Sequence, residues 1–176
     1  MANFNDGNFG RQDFRKVDLT DSYLERSDFT RSTFDKVDLS GSDLRESQFY
    51  GASFDGANLS GCDLRDSSFD DASFKDADLS DSDLRGSTFL GSNFQGAILI
   101  DVELGGANLE WADLKQARLD KVNLRGSFLI DASFVDADLY GVDFRGAKLD
   151  GADFTNAKIN KTKFDSSAYK HAIGLK

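Results

Sequence analysis

The chain has 176 residues, with 21 lysines and arginines against 31 aspartates and glutamates, and its formal net charge at pH 7 is −10. A surface this acidic repels phosphates, which excludes a general DNA- or RNA-binding protein. One cysteine and one histidine exclude a rich metal or redox chemistry, and the lone Cys62 cannot close an internal disulfide bond.

The N-terminal segment, residues 1–14, lacks the basic region and the apolar segment of a secretory signal. No segment further along the chain approaches the run of about 18 apolar residues that a membrane-spanning helix needs. We therefore expect a cytoplasmic protein that makes no membrane contact.

A repeat of five residues begins at Phe4 and continues to Phe164 without a break in its register. All 33 central positions hold Phe, Leu or Ile, and the residue two places earlier is nearly always small. No charged residue occupies either position. A period of five matches neither the helical period of about 3.6 nor the strand period of about 2. It predicts a chain that turns a corner every five residues and buries all the central side chains.

The corners and the coil length also have sequence signals. Twelve of the 16 glycines stand two residues after a central residue, where glycine favours a positive φ. From Phe9 to Phe94 the central residues alternate in pairs of Phe and Leu, and Asp-Leu-Arg recurs at 43–45, 63–65 and 83–85. Both patterns have a period of 20. They predict four units per coil, with residues 20 apart stacked above one another.

The units at 57–61, 77–81 and 107–111 read ANLSG, ADLSD and ANLEW, and they resemble the A(D/N)LXX pattern of the pentapeptide-repeat family. The resemblance extends over about residues 2–166. It implies an all-β fold, a right-handed quadrilateral β-helix or β-solenoid of about eight coils. We assign residues 1–166 to this β-helix.

Residues 167–176 depart from the repeat and are predicted to form a short helical cap on the C-terminal end. Tyr169, Ala172 and Ile173 share one face of the predicted helix. The cap covers either the last coil of its own chain or a second chain in a homodimer. The resemblance implies the homodimer, because several topoisomerase-linked members of the family look like dimers through this end.

Stacking at 20 residues assigns the units centred on Leu19, Leu39 and every twentieth residue after them to one side of the coil, the Leu19 face. Between residues 17 and 101 this face carries no lysine or arginine. Its aspartates are the first predicted partner-binding residues: Asp18, Asp21, Asp38, Asp78, Asp81 and Asp101. The neighbouring Leu44 face, centred on Leu44, Leu64 and Leu84, carries aspartates beside arginines and is predicted to neutralise its own charge.

Apolar residues at outward positions concentrate between residues 90 and 140. Those that fall on one predicted face are Leu90, Trp111, Phe128 and Ile130. They form either a second partner-binding patch or an incidental part of the surface.

The sequence contains no nucleophile–base pair, phosphate-binding loop or metal-ligand spacing, and it predicts no catalytic residue, no metal site, no cofactor and no enzyme. Three interpretations of function stay open. The first is a structural scaffold or protein-interaction module whose partner is undefined. The second, implied by the resemblance, is an acidic DNA mimic that binds DNA gyrase or topoisomerase IV, similar to the loopless mycobacterial members related to fluoroquinolone resistance. The third is a designed or consensus-like repeat protein without a natural function.

Overall fold

The computed structural model describes residues 1–175, apart from the side chain of Tyr169. The chain winds into a four-sided β-helix, and the predicted all-β fold is confirmed. Isolated parallel bridges join residues 20 apart, from Asn3–Tyr23 to Asp153–Ile173. Longer pairing occurs on the C-terminal half of the Leu19 face, in a parallel sheet of order β1-β2-β3-β4. Its strands are β1 (Ile98–Ile100), β2 (Arg118–Asp120), β3 (Asp138–Tyr140) and β4 (Lys158–Asn160).

Left-handed residues make the corners of the coil, as the glycine positions predict. The twelve corner glycines have φ between 62° at Gly51 and 77° at Gly146. Other residue types adopt the same conformation at further corners, including Asp21 at 48° and Trp111 at 58°. For a residue with a Cβ this conformation costs about 1–2 kcal/mol. Several of these turns close with a backbone hydrogen bond across four residues, as from Ala52 N–H to the Phe49 carbonyl at 2.9 Å.

The central side chains fill the interior, where the phenylalanines form continuous stacks. The rings of Phe34 and Phe54 lie 4.8 Å apart between centroids and 5° from parallel, and Phe54 and Phe74 repeat this contact at 5.0 Å. A second stack meets the first edge to face, as between Phe49 and Phe54. Every central residue from Phe14 to Phe154 is buried.

The prediction that all the central residues are buried is wrong at the two ends of the rod. Phe4, Phe9 and Phe164 are only half-buried, and Ile159 is 41% exposed. An interior residue is covered by a coil on both sides, whereas each of these has a stacked coil on one side only among residues 1–175.

Buried serines in the small inward column join successive coils. Ser47 Oγ donates to the Leu24 carbonyl at 2.6 Å and accepts the Ser27 N–H at 3.0 Å. The hydroxyl therefore bridges the donor and the acceptor of the turn one coil earlier. Because the hydroxyl and both backbone groups are paired, serine can stand in the core without an unsatisfied polar group.

The tail that follows Phe164 covers part of the C-terminal end. It contains the single-turn helix α1 (Ala168–His171), in which Ala168 is buried. Beyond α1, Ile173 pairs in parallel with Asp153, so the tail keeps the 20-residue interval of the repeat. No helix within residues 1–175 is long and apolar enough to cross a membrane.

The helical face predicted for Tyr169, Ala172 and Ile173 does not form. The helix ends at His171, and Ala172 is extended with φ −88° and ψ 148°. Ile173 N–H donates to the Ala152 carbonyl and the Ile173 carbonyl accepts the Phe154 N–H, both at 2.8 Å, while the Ile173 side chain is 53% exposed. Pairing with this open edge therefore ends the helix after one turn. The side chain of Tyr169 lies outside the described residues.

Candidate partner-binding surfaces

The aspartates that precede a central residue on the Leu19 face are held by bonds within their own turn. Asp38 Oδ1 accepts the Ser40 N–H at 3.0 Å. Asp78 Oδ1 accepts both the Ser80 N–H at 2.9 Å and the Ser80 hydroxyl at 2.6 Å. The bonds of Asp18 to the Thr20 hydroxyl and N–H lower the pKa of the Asp18 carboxyl. These bonds fix the direction of the carboxylates along one side of the rod.

The corner aspartates of the Leu19 face are exposed and lie in the left-handed region. The carboxylate of Asp21 lies over Gly41 of the next coil, where a Cβ would stand only 2.5 Å from Asp21 Oδ1. Asp101 differs from Asp21 and Asp81, because Lys121 Nζ lies 3.8 Å from its carboxylate. Asp101 therefore marks the end of the uncompensated part of the face.

The remaining five carboxylates, here called the acidic strip, have no ion pair among residues 1–175. The strip consists of Asp18, Asp21, Asp38, Asp78 and Asp81. Asn58 interrupts it, stacked between Asp38 and Asp78, and Asn58 Nδ2 donates to Asp38 Oδ1 at 3.1 Å. The amide separates the two carboxylates by two coils, or roughly 10 Å, which limits their mutual repulsion.

The Leu44 face compensates its own charge. Arg45 binds Asp43 through two parallel bonds, from Nε at 2.9 Å and from Nη2 at 2.6 Å. Arg45 also lies 3.6 Å from Asp63 of the next coil. The bonds from Arg45 lower the pKa of Asp43, and those from Arg85 lower the pKa of Asp83. The carboxylates that precede the central residues of this face are therefore bound by arginines.

The four predicted apolar residues lie on the face centred on Phe89, Leu109 and Leu129, here called the Leu109 face. Trp111 is 58% exposed and Phe128 is 43% exposed, while Leu90 and Ile130 are half-buried. We call these four residues the Trp111 patch.

Two further side chains bear on catalysis. Burial raises the pKa of the Cys62 thiol to about 12, so this thiol is not a nucleophile at neutral pH. His171 Nδ1 lies 3.0 Å from Asp150 Oδ1, in a contact that joins the tail to the last coil. Within residues 1–175, no group of three or more histidine, cysteine or carboxylate side chains is arranged to hold a metal ion.

Two family models match the chain. One, described as a pentapeptide repeat region, matches residues 25–99. The other, described as pentapeptide repeats (8 copies), matches residues 2–31 and 112–156. No curated protein matches.

Solved structures of similar proteins include Rfr23, a pentapeptide repeat protein from the cyanobacterium Cyanothece 51142, at 26% identity and a TM-score of 0.50. That alignment covers 56% of this chain, which spans only 64% of the Rfr23 chain. HetL, involved in heterocyst differentiation regulation in Nostoc sp. strain PCC 7120, is 23% identical with a TM-score of 0.40, over 89% of this chain and 84% of HetL. A trypsin-treated variant of QnrB1, a plasmid-mediated fluoroquinolone resistance protein, is 22% identical with a TM-score of 0.36, over 93% of this chain and 89% of QnrB1.

Proposed function

The chain belongs to the pentapeptide-repeat family, and we propose that it is a non-enzymatic protein-interaction rod that binds a basic surface of a partner protein through its acidic strip. The observation that carries this proposal is the contrast between two neighbouring faces. On the Leu44 face, the aspartates that precede the central residues (Asp43, Asp63 and Asp83) are bound by arginines, whereas the five carboxylates of the strip have no ion pair among residues 1–175.

The strip has the dimensions of a recognition surface. Asp18 and Asp78 lie three coils apart, roughly 14 Å along the rod. Neighbours within the strip are closer: Asp18 and Asp38 are one coil, or roughly 5 Å, apart, which is within the screening length of about 8 Å at physiological ionic strength, so their potentials add. Such a potential steers a basic partner and raises the rate of association. The local bonds of Asp38 and Asp78 hold the carboxylates in place before binding, which lowers the entropy lost on association.

The test is a calorimetric titration with poly-L-lysine at low and at physiological salt. The strip variant carries Asp21→Asn and Asp81→Asn, and the control carries Asp66→Asn and Asp136→Asn. All four residues are exposed corner aspartates with φ between 48° and 60° and no ion pair within residues 1–175, so the two variants match in charge and backbone. We expect the strip variant to bind more weakly than the control and with a smaller salt dependence. Equal weakening in both would mean that only the net charge matters, and would overturn the proposal.

A second candidate is a mimic of duplex DNA that binds DNA gyrase or topoisomerase IV. The observation that favours it is the position of the strip, which follows one side of a narrow rod as phosphates follow a duplex. The test is DNA supercoiling by purified gyrase in the presence of the protein. We expect inhibition by the unsubstituted protein and by the control variant, and its loss in the strip variant. No effect of the unsubstituted protein at micromolar concentration would exclude this candidate and leave the first one standing.

A further inference from the structure

Trp111 occupies a backbone position that disfavours it. Its φ of 58° lies in the left-handed region, at a corner where twelve other units of the chain have glycine. A residue with a Cβ loses about 1–2 kcal/mol there. Burial in the rod does not offset this loss, because Trp111 is 58% exposed. The indole is nevertheless held in one direction, since Nε1 donates to Asp131 Oδ2 of the next coil at 3.2 Å.

The left-handed conformation is common to the corners of this fold, but a large aromatic ring that is oriented and more than half exposed there is explained by contact with another molecule. Aromatic side chains of this kind supply the central anchors of protein interfaces.

The neighbours of Trp111 extend the apolar surface over three coils. Phe128 and Ile130 flank the buried Leu129, and Leu90 stands two coils below Ile130 in the same column. The patch is thus roughly 10 Å long along the rod. The corner that borders it carries no side chains over four coils: Gly86, Gly106, Gly126 and Gly146. A partner backbone can therefore approach the patch closely from that side.

The rim of the patch is negative. From residue 67 to residue 151 the Leu109 face carries five carboxylates and one basic residue, Lys148. The carboxylates are Asp70, Asp71, Glu110, Asp131 and Asp150. Among residues 1–175, only Asp150 of these five forms an ion pair, with His171 of the tail.

We propose that the Trp111 patch is a docking site for a protein segment that presents an apolar side chain between lysines or arginines. The apolar side chain packs on Trp111, Phe128 and Ile130, and the basic side chains reach the unpaired carboxylates of the rim. A second copy of this chain does not suit the site, because self-association through the Leu109 face would bring two acidic rims together. The site lies on a different face from the acidic strip and does not depend on the function proposed for it.

Trp111 is the one tryptophan of the sequence, so its fluorescence reports directly on the patch. The probe is a dye-labelled synthetic peptide with two leucines flanked by lysines. Two control peptides replace the lysines with glutamate or the leucines with serine. We expect the leucine–lysine peptide to bind, as measured by anisotropy, and an unlabelled version to shift the Trp111 emission to shorter wavelength. Both control peptides should bind at least about tenfold more weakly. Equal binding of the serine–lysine peptide would reduce the interaction to charge alone and overturn the proposal.

The decisive variant is Trp111→Gly, which restores the residue type found at twelve other corners. We expect it to fold with unchanged or increased stability and to bind the leucine–lysine peptide at least about tenfold more weakly. The matched control is Tyr50→Ser, which removes another exposed ring of the Leu109 face, 42% exposed and 40 residues from Leu90. It should leave the affinity unchanged. Undiminished affinity in Trp111→Gly, or self-association of the free protein through the patch in sedimentation, would overturn the proposal.

Discussion

Ser67 Oγ donates a hydrogen bond of 2.8 Å to the Leu44 carbonyl, 23 residues earlier and one coil away. The same hydroxyl accepts the Ser47 N–H at 3.1 Å. Residues 44 and 47 begin and end one turn, so the serine of the next coil carries the hydrogen bond that would otherwise close the turn directly. Two coils later, residue 107 is alanine and has no hydroxyl to insert between Leu84 and Ser87. That turn closes by its own Ser87 N–H at 3.3 Å from the Leu84 carbonyl.

We expect Ser67→Ala to destabilise the protein by about 0.5–1.5 kcal/mol, because the two hydrogen bonds through the hydroxyl are replaced by one direct bond from Ser47 N–H to the Leu44 carbonyl. The complementary change Ala107→Ser supplies a hydroxyl to the turn from Leu84 to Ser87. It should cost less than about 0.5 kcal/mol, or stabilise the protein. Urea denaturation of both variants measures these differences. Equal destabilisation by the two changes would contradict the bridging role of the hydroxyl.

Removal of a stacked phenylalanine should be among the most damaging single changes. Phe74 is fully buried, with ring centroids 5.0 Å from Phe54 and 4.8 Å from Phe94. Phe74→Ala should lower the free energy of unfolding by about 3–5 kcal/mol, through lost transfer energy and the cavity that remains. The control Tyr50→Ala removes an exposed ring and should change stability by less than about 0.5 kcal/mol. Similar urea midpoints for the two variants would contradict the stacked core.

Acid should destabilise the rod through the Leu44 face. Arginine hydrogen bonds hold the pKa values of Asp43 and Asp83 below the ordinary aspartate value of about 3.9. Because the carboxyl groups bind protons more tightly in the unfolded chain, their stabilising contribution is complete above that value. It is lost as the pH falls through the lower folded-state values. Urea midpoints between pH 6 and pH 2 should show this loss, and the double change Asp43→Asn and Asp83→Asn should lower stability at pH 7 and flatten its acid dependence. An unchanged acid slope in that variant would assign the effect to other carboxylates.

Deletion of residues 167–176 should expose the last coil of the core. Leu149 is 5% exposed and Phe154 is 1% exposed beneath the tail. Their exposure leaves an open, apolar end with unpaired backbone groups, and such ends associate. Sedimentation velocity should show aggregation or a changed oligomeric state. A truncated chain that sediments like the full one would show that the tail neither covers the core nor holds a dimer together.

The surface sites were only partly predictable. Position in the repeat assigns the acidic strip and the Trp111 patch each to one face before any coordinate is known. It does not reveal that Lys121 approaches Asp101, because that ion pair depends on the rotamers of two exposed side chains on adjacent coils. The strain at Trp111 did have a sequence signal, since residue 111 stands in the corner column that glycine favours. The bridging serines had a sequence signal as well, because each stands in the small inward column, 23 residues after the central residue whose carbonyl it binds.

The sequence by itself determined the path of the chain. An apolar residue at every fifth position can be buried throughout only if the chain turns at every unit, and the 20-residue pattern then sets four units to a coil. The tertiary structure alone decided which carboxylates stay unpaired, which turns a serine bridges, why α1 ends at His171 and why Ile159 remains exposed. These features depend on contacts between side chains and backbone groups about 20 residues apart. A periodic pattern specifies which positions stack, but the orientation of each side chain and the groups that meet at a free end are settled only when neighbouring coils are in contact.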